Sequence, residues 1–289
     1  AELKQAIAKG SIKKKDAGEE KEQFSKKIIA VIGARGGVGT TTIASKLAVI
    51  AASDLGRSTA LVDMDPYFGC VALSLDLEPG RGLRDALEKP DRVDALFLER
   101  TMVKPMDKLA ILSAEEPLMD AMKVQDNAGE MIFAALKEKF PAIIVDLPRQ
   151  MNALSRYVLM QADHVIIVAE PQITSLRDSL RVKDYLVDQL KRPTPRVILN
   201  RVGLSASNEL TPQEFAKHYG HEVAAKFNFL HEVVGQTARG ELQAPLPKLA
   251  GAMTQLRTLL RELLEVGEEE ATAAAPVKGG LMALLKGGK

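Results

Sequence analysis

Glycine and threonine are concentrated in one short stretch, VIGARGGVGTTTIASKL at residues 31–47, which lies between an apolar run and a helical pattern. The glycines allow the backbone to curl, so that several N–H groups point at one place. The positive end of the helix that is predicted to begin near Thr40 adds to this attraction for anions. The stretch therefore predicts a phosphate-binding loop, in which the nucleotide-binding residues are Gly36, Gly37, Val38, Gly39, Thr40, Thr41 and Thr42.

The loop departs from the common pattern G-x-x-x-x-G-K-[ST] at two positions, since Ala34 replaces the first glycine and Thr40 replaces the lysine. Thr41 keeps the hydroxyl that ligates Mg²⁺ in such loops. A charge 4 Å from a phosphate is worth about 4 kcal/mol before desolvation at an effective dielectric of about 20. Its loss predicts weaker nucleotide binding and slower hydrolysis. A glycine-rich turn with no ligand is the structural alternative.

Three aspartates lie at the carboxyl ends of apolar runs that are predicted to be strands: Asp63 near the end of one run, Asp65 just after it, and Asp146 near the end of another. Ligands of parallel sheets bind beyond the carboxyl ends of the strands, which is where these side chains are expected. Carboxylates and a threonine hydroxyl are suitable oxygen ligands for Mg²⁺, so three aspartates at the same sheet edge as Thr41 favour a metal site there. Each aspartate taken alone could equally be a helix or turn cap.

The elements that must position these residues alternate between short apolar runs and longer helical patterns. Because the runs are continuous, they favour strands that are covered on both faces. The fold class is therefore predicted as α/β, with a doubly wound, mainly parallel sheet flanked by helices. The predicted strands are 27–33, 58–64, 108–113, 142–147, 164–169 and 196–200; the predicted helices are 40–52, 119–137, 153–161, 175–190 and a closing segment within 246–266.

Composition narrows the class of protein. The chain has 289 residues, 46% hydrophobic content and a net charge of +1, so no overall field favours nucleic acid. Cys70 is the only cysteine, and the four histidines are scattered, which excludes an internal disulfide and gives no Cys/His metal cluster. No run reaches the roughly 18 apolar residues of a membrane span, and the N-terminus lacks a signal-type apolar core, so a cytoplasmic protein is expected.

Charge and glycine content divide the chain into three parts. Residues 1–26 mix both charge signs and read as a linker, residues 27–266 as one nucleotide-binding domain, and residues 267–289 as a flexible tail with a short apolar tip. The tip, LMALLKGGK, has two interpretations. It is either a weak membrane-contact segment through 281–286 or a tail that docks on a partner.

Several motifs together resemble the ParA/MinD family of dimerising ATPases with a deviant phosphate loop. They are ARGGVGTTT at 34–42, LVDMDP at 61–66, IIVDLPR at 143–149, ILNR at 198–201 and PQITSLRDSLRVKDYL at 171–186. The resemblance implies a P-loop NTPase fold, ATP and Mg²⁺ as cofactors and an ATP-dependent homodimer.

The resemblance also implies roles for individual residues. Asp65 would position the attacking water, and Arg35, at the place of the family's signature lysine, would reach phosphates in the same subunit or its partner. Asp63 and Asp146 would hold Mg²⁺ through waters. Asn200 would bind the adenine edge with Arg201 beside the base. Arg149 would sense the γ-phosphate or lie at the dimer face; the alternative is a solvated arginine with no such role.

Residues 63–100 and 108–118 narrow the resemblance to the CpaE/TadZ branch, the MinD-like proteins of tight-adherence (Flp-type) pilus assembly. Atypical phosphate loops occur in that branch, so Thr40 agrees with it. Its members usually begin with a receiver-like domain, so residues 1–26 are expected to be the linker from a missing one.

The resemblance implies a slow, Mg-dependent ATPase that acts as an assembly and localisation factor. Its partners would be pilus secretion proteins, and it would be recruited to the inner membrane or a cell pole. No specific nucleic acid is expected as a partner. Two alternatives stay open: a non-hydrolysing, ATP-bound scaffold, and, less favoured, a ParA-type DNA-partition ATPase.

Overall fold

The computed structural model of the protein describes residues 25–205, 207–241 and 246–266. Within these ranges, eight strands form one sheet in the order β3-β4-β2-β5-β1-β6-β7-β8, and only β3 is antiparallel to its neighbour. This confirms the predicted α/β class. The strands are β1 Lys27–Gly33, β2 Thr59–Asp63, β3 Val103–Met106, β4 Leu109–Leu112, β5 Ala142–Leu147, β6 His164–Ala169, β7 Arg196–Val202 and β8 Val223–Asn228.

Helices cover both faces of the sheet. They are α1 Thr40–Ser53, α2 Val71–Ser74, α3 Gly82–Glu88, α4 Ala95–Thr101, α5 Ala128–Lys139, α6 Ala153–Gln161, α7 Ile173–Asp184, α8 Pro212–Tyr219, α9 His231–Ala238 and α10 Ala250–Leu263. Short 3₁₀ turns occupy Pro90–Arg92 and Pro247–Leu249, and a π-helical turn, Tyr185–Gln189, extends α7.

Two hydrophobic cores lie on opposite faces of the sheet. Along β1, Ile28 and Ile32 belong to the core under α3 to α8, whereas Ile29 and Val31 belong to the core under α1 and α10. Successive side chains of a strand point to opposite faces, so a strand that is covered on both sides must be apolar at every position. This explains why the central strands are continuous apolar runs.

The strand order places a crevice at the carboxyl end of β1. The chain builds β2 to β4 on one side, returns through β5 next to β1, and then continues outward with β6 to β8. Ligands of open α/β sheets bind where the order reverses in this way. The loop after β1 therefore lies at the expected position for a ligand.

Several sequence predictions need correction. The helix predicted at 119–137 begins only at Ala128, and Met119 is 93% exposed in the segment before it. In that segment Met122 contacts the core, whereas Leu118, Met119 and Val124 are exposed, so its apolar residues do not form one buried helical face. The closing helical segment begins as a 3₁₀ turn and becomes α-helical at Ala250. Strands β3 and β8 and helices α2, α3, α4, α8 and α9 were not predicted.

The proposed linker and tail lie largely outside the described residues, as do all residues of the 281–286 tip. Within the described ranges, no helix combines the length and the apolar character needed to cross a bilayer. The two ends of the described chain meet at the amino edge of the sheet, where Lys27 Nζ lies 2.7 Å from Glu265 Oε1.

Candidate functional site

The glycine loop joins β1 to α1 at the crevice. Its start is fixed to the sheet, because the Ala34 N–H donates to the Val168 carbonyl of β6 at 2.8 Å. Gly39 is the N-cap of α1 and has φ of 90°, a left-handed conformation that other residues rarely adopt. A Cβ there would lie 2.3 Å from Asn200 Nδ2, whereas a Cβ on Gly36 would meet nothing within 4 Å. The loop is thus tightly constrained at Gly39 and open at Gly36.

Asn200 braces this loop from β7. Its Nδ2 donates to the Val38 carbonyl at 2.8 Å, and its Oδ1 accepts from the Arg201 N–H at 2.9 Å. Arg201 has φ of 57° and lies 2.8 Å from Glu170, which follows β6. The family resemblance predicts that Asn200 binds the adenine edge and that Arg201 lies beside the base. The structure places them beside the loop with partners inside the chain, and an adenine contact stays a prediction.

Asp63, Asp146 and Thr41 come together beside the loop. Asp63 and Asp146 are register neighbours on the adjacent strands β2 and β5. Thr41 Oγ1, in the first turn of α1, donates to Asp146 Oδ2 at 2.6 Å. The three residues predicted as metal ligands, which are 105 positions apart at most, are therefore assembled at one sheet edge.

The two aspartates are buried carboxylates whose charge is poorly compensated. Burial raises the pKa of Asp146 to about 7, and repulsion from Asp63 adds to this effect. Burial also raises the pKa of Asp63 to about 6, although the Val71 and Asp65 amides donate to it and oppose the rise. A cation between the two carboxylates would stabilise their ionised forms, so these oxygen donors fit a hard divalent ion.

Within the described residues, no group of three or more His, Cys, Asp or Glu side chains is arranged to hold a metal. Mg²⁺ usually takes only one or two carboxylates and completes its shell with water and substrate phosphates. Asp63 and Asp146 match this small number of carboxylates.

Asp65 caps the turn that follows β2. Its Oδ1 accepts from the N–H groups of Tyr67 at 3.1 Å and Phe68 at 3.0 Å. The cap interpretation therefore describes what Asp65 does in this structure, and its catalytic role stays a prediction. The turn is crowded at Gly69, where a Cβ would lie 2.5 Å from Asp63 Oδ2. Sequence reasoning missed this glycine.

Arg35 and Arg149 converge on Asp178 of α7. Arg149 Nη2 lies 3.2 Å and Arg35 Nη1 lies 3.9 Å from Asp178 Oδ2. Burial opposes the ionisation of Asp178, but Arg177 and the other arginines hold its pKa below the usual range. Asp178 lies within residues 171–186, one of the motifs that resemble the ParA/MinD family. Nothing in the sequence indicated that Asp178 would form an ion pair with Arg35.

Cys70 also belongs to this edge of the sheet, and sequence reasoning did not connect it with the site. Burial raises the pKa of its thiol; a hydrogen bond with Thr41 opposes the rise, and repulsion from Asp63 and Asp146 adds to it. The thiol therefore stays protonated at neutral pH and acts as a neutral neighbour of the two carboxylates. Only the folded chain brings it there.

Comparisons with known proteins agree with this geometry. The model of the family described as "AAA domain" matches residues 26–186, more than half of the chain. The septum site-determining protein MinD of Bacillus subtilis (strain 168) is 24% identical over 239 residues, which are 82% of this chain and 88% of that protein.

Two solved structures show the same fold. The ParA family ATPase of Chlorobium tepidum TLS superposes with a TM-score of 0.71 at 18% identity, covering 82% of this chain and 98% of its own. The MinD of Pyrococcus horikoshii OT3, solved in complex with Mg-ADP, gives a TM-score of 0.69 at 23% identity, covering 87% of this chain and all of its own. The fold is that of the ParA/MinD-type P-loop NTPases.

Proposed function

The chain belongs to the AAA domain family, and from this premise we propose that it is an ATP-binding, dimerising ATPase of the ParA/MinD type with slow turnover. In this proposal it acts as an assembly and localisation factor for a tight-adherence (Flp-type) pilus. ATP and Mg²⁺ close a homodimer, the dimer recruits pilus secretion proteins, and hydrolysis resets the cycle.

One observation carries the nucleotide part of the proposal: Thr41, Asp146 and Asp63 meet directly beside the glycine loop. The loop amides and the N-terminus of α1 would hold the phosphates. Bound Mg²⁺ would supply positive charge against the phosphate oxygens. Thr41 would bind that ion directly, and the two aspartates would hold it through waters. The ion would stabilise the ionised form of both carboxylates, whose pKa values are raised by burial, and this stabilisation would contribute to its affinity.

The missing lysine at Thr40 makes Arg35 the main candidate for charge on the phosphates. The Arg35 side chain is 43% exposed and its ion pair with Asp178 is long, at 3.9 Å, so this pair is a weak restraint. An arginine that reaches the transferred phosphoryl group can accelerate hydrolysis by about 10³–10⁵ in other nucleotide hydrolases. Asp65, released from its turn, would orient the attacking water, and Arg35 would act in its own subunit or across the dimer.

The pilus role is supported by the likeness of residues 63–100 and 108–118 to the CpaE/TadZ branch, together with the atypical loop at Thr40. The DNA-partition alternative is less favoured, because the net charge of +1 provides no general attraction to nucleic acid. Recruitment to a membrane or a cell pole is part of the proposal, with the 281–286 tip as the candidate contact.

ATP turnover decides between the enzyme and the scaffold. We expect the native chain with Mg-ATP to release phosphate slowly, and Asp65→Ala to release none above background while still binding ATP in calorimetry. Equal rates at background for both chains would favour the non-hydrolysing scaffold. Light scattering after size exclusion, with ATP and without it, measures the dimer.

The biological role needs a separate experiment. A fluorescent fusion of the full chain is expressed in a strain that carries the tight-adherence pilus genes and in a strain from which they are deleted. We expect foci only in the strain that carries the genes. Foci that do not depend on the pilus genes would contradict the pilus assignment and leave the ATPase assignment intact. Absence of a gel shift with duplex DNA at low salt would exclude the partition alternative.

A further inference from the structure

Four arginines surround one carboxylate at the site edge. Arg35, Arg149, Arg177 and Arg181 each place a guanidinium nitrogen within 3.9 Å of the Asp178 carboxylate, and these four side chains are called here the arginine cluster. Arg177 lies closest, at 2.9 Å. The four come from three separate segments, the glycine loop, the loop after β5 and α7, so only the folded chain forms the cluster.

The cluster has an unbalanced charge that is open to solvent. The Asp178 side chain is only 5% exposed, whereas the arginine side chains, in chain order, are 43%, 51%, 64% and 74% exposed. One buried negative charge therefore faces four positive charges, which leaves a formal surplus of three. Such a surplus attracts anions and is strengthened by the low dielectric beneath it.

Helix α7 extends the cluster with an apolar residue. Ile173, Arg177 and Arg181 are spaced four residues apart, so they share one face of the helix. Ile173 is 72% exposed. The outer face of α7 thus presents one apolar side chain followed by two arginines along about two turns.

The compactness of the cluster distinguishes between classes of anion. All four guanidinium groups meet at a single carboxylate, whereas duplex DNA spreads one charge per roughly 1.7 Å of helix axis and is usually bound by cationic residues distributed along it. Arginine forks match carboxylates in bidentate geometry. A short run of carboxylates therefore fits this surface better than a nucleic-acid backbone.

We propose that the arginine cluster, together with Ile173, is a docking surface for an acidic peptide segment of a partner protein. The partner segment carries consecutive carboxylates that pair with the arginines, and an apolar residue at one end that contacts Ile173. The proposal concerns the chain without nucleotide, in which Arg35 lies beside Asp178, and it does not require the chain to hydrolyse ATP.

Fluorescence anisotropy with labelled hexaglutamate tests the proposal, using the full chain without nucleotide in 50 mM salt. The Arg177→Glu/Arg181→Glu double variant changes two exposed residues, and circular dichroism checks its fold. The matched control, Arg92→Glu/Arg100→Glu, makes the same charge change on exposed arginines far from α7. A second pair, Arg177→Gln/Arg181→Gln, removes the charge without reversing it.

We expect the native chain and the control to bind hexaglutamate with affinities within about twofold of each other. The Glu variant should lose at least tenfold and the Gln variant at least threefold, with binding that weakens as salt rises. Absence of native binding would overturn the proposal, and so would equal losses in the control. Tighter binding of a 20-base-pair duplex through the same arginines would also overturn it, in favour of nucleic acid.

Discussion

The two buried aspartates make the stability of the protein depend on pH in a direction that can be tested. Asp146 has an ordinary pKa of 3.8 that is raised to about 7 in the folded chain. Below about pH 4 both the folded and the unfolded chain hold this proton, so the carboxyl group costs nothing. Between about pH 4 and 7 only the unfolded chain gives up the proton, so the free energy of unfolding falls as pH rises.

The size of this loss follows from the two pKa values. A difference of about three between the folded and unfolded pKa corresponds to about 4 kcal/mol, and this full penalty applies above about pH 7. At pH 5 only about a third of this penalty is present. The variant Asp146→Asn cannot ionise and escapes the penalty, although a weaker hydrogen bond with Thr41 costs it about 1 kcal/mol at every pH.

We therefore expect Asp146→Asn to be more stable than the native chain at pH 8, by about 1–3 kcal/mol, with an advantage that shrinks by about 2–3 kcal/mol at pH 5. Urea unfolding followed by circular dichroism, in EDTA and at several pH values, measures this. The control Asp107→Asn alters an exposed turn residue and should follow the native curve. A variant that is less stable at pH 8, or a difference that stays constant from pH 5 to 8, would refute the argument.

Three further predictions concern the loop and the core. Thr40→Lys should tighten Mg-ATP binding by about tenfold or more, since part of the roughly 4 kcal/mol of charge interaction is recovered; an unchanged affinity in calorimetry would argue against the phosphate position. Gly39→Ala should destabilise the chain by at least about 1 kcal/mol and abolish nucleotide binding, because the φ of Gly39 is 90° and a Cβ there would collide with Asn200. The control Gly36→Ala has open space around its Cβ and should leave thermal unfolding unchanged. Leu260→Ala should cost about 2–5 kcal/mol in urea unfolding, because the Leu260 side chain of α10 is fully buried in the core between that helix and the sheet. A loss below about 1 kcal/mol would contradict the described packing of that helix.

Most of the fold and the candidate ligands could be predicted from local pattern. β5 and β6 have the predicted bounds, because a strand that is covered on both faces is a nearly continuous apolar run, with polar residues only near its ends, as Asp146 is in β5 and His164 in β6. The same logic placed Asp63, Asp146 and Thr41 at one edge, since carboxyl ends of parallel strands must coincide. The spacing of the loop glycines was enough to predict the phosphate-binding loop.

Only the tertiary structure decided what those residues contact. The pairing of Asn200 with Val38 joins residues 162 positions apart, and the arginine cluster collects three segments around Asp178, contacts that no local period encodes. The helix predicted from Met119 failed because apolar spacing predicts burial only where a neighbouring element covers it. Sequence thus determined the elements and the chemistry available at their ends, while packing determined which charges meet, since long-range pairing depends on the relative position of whole strands and helices.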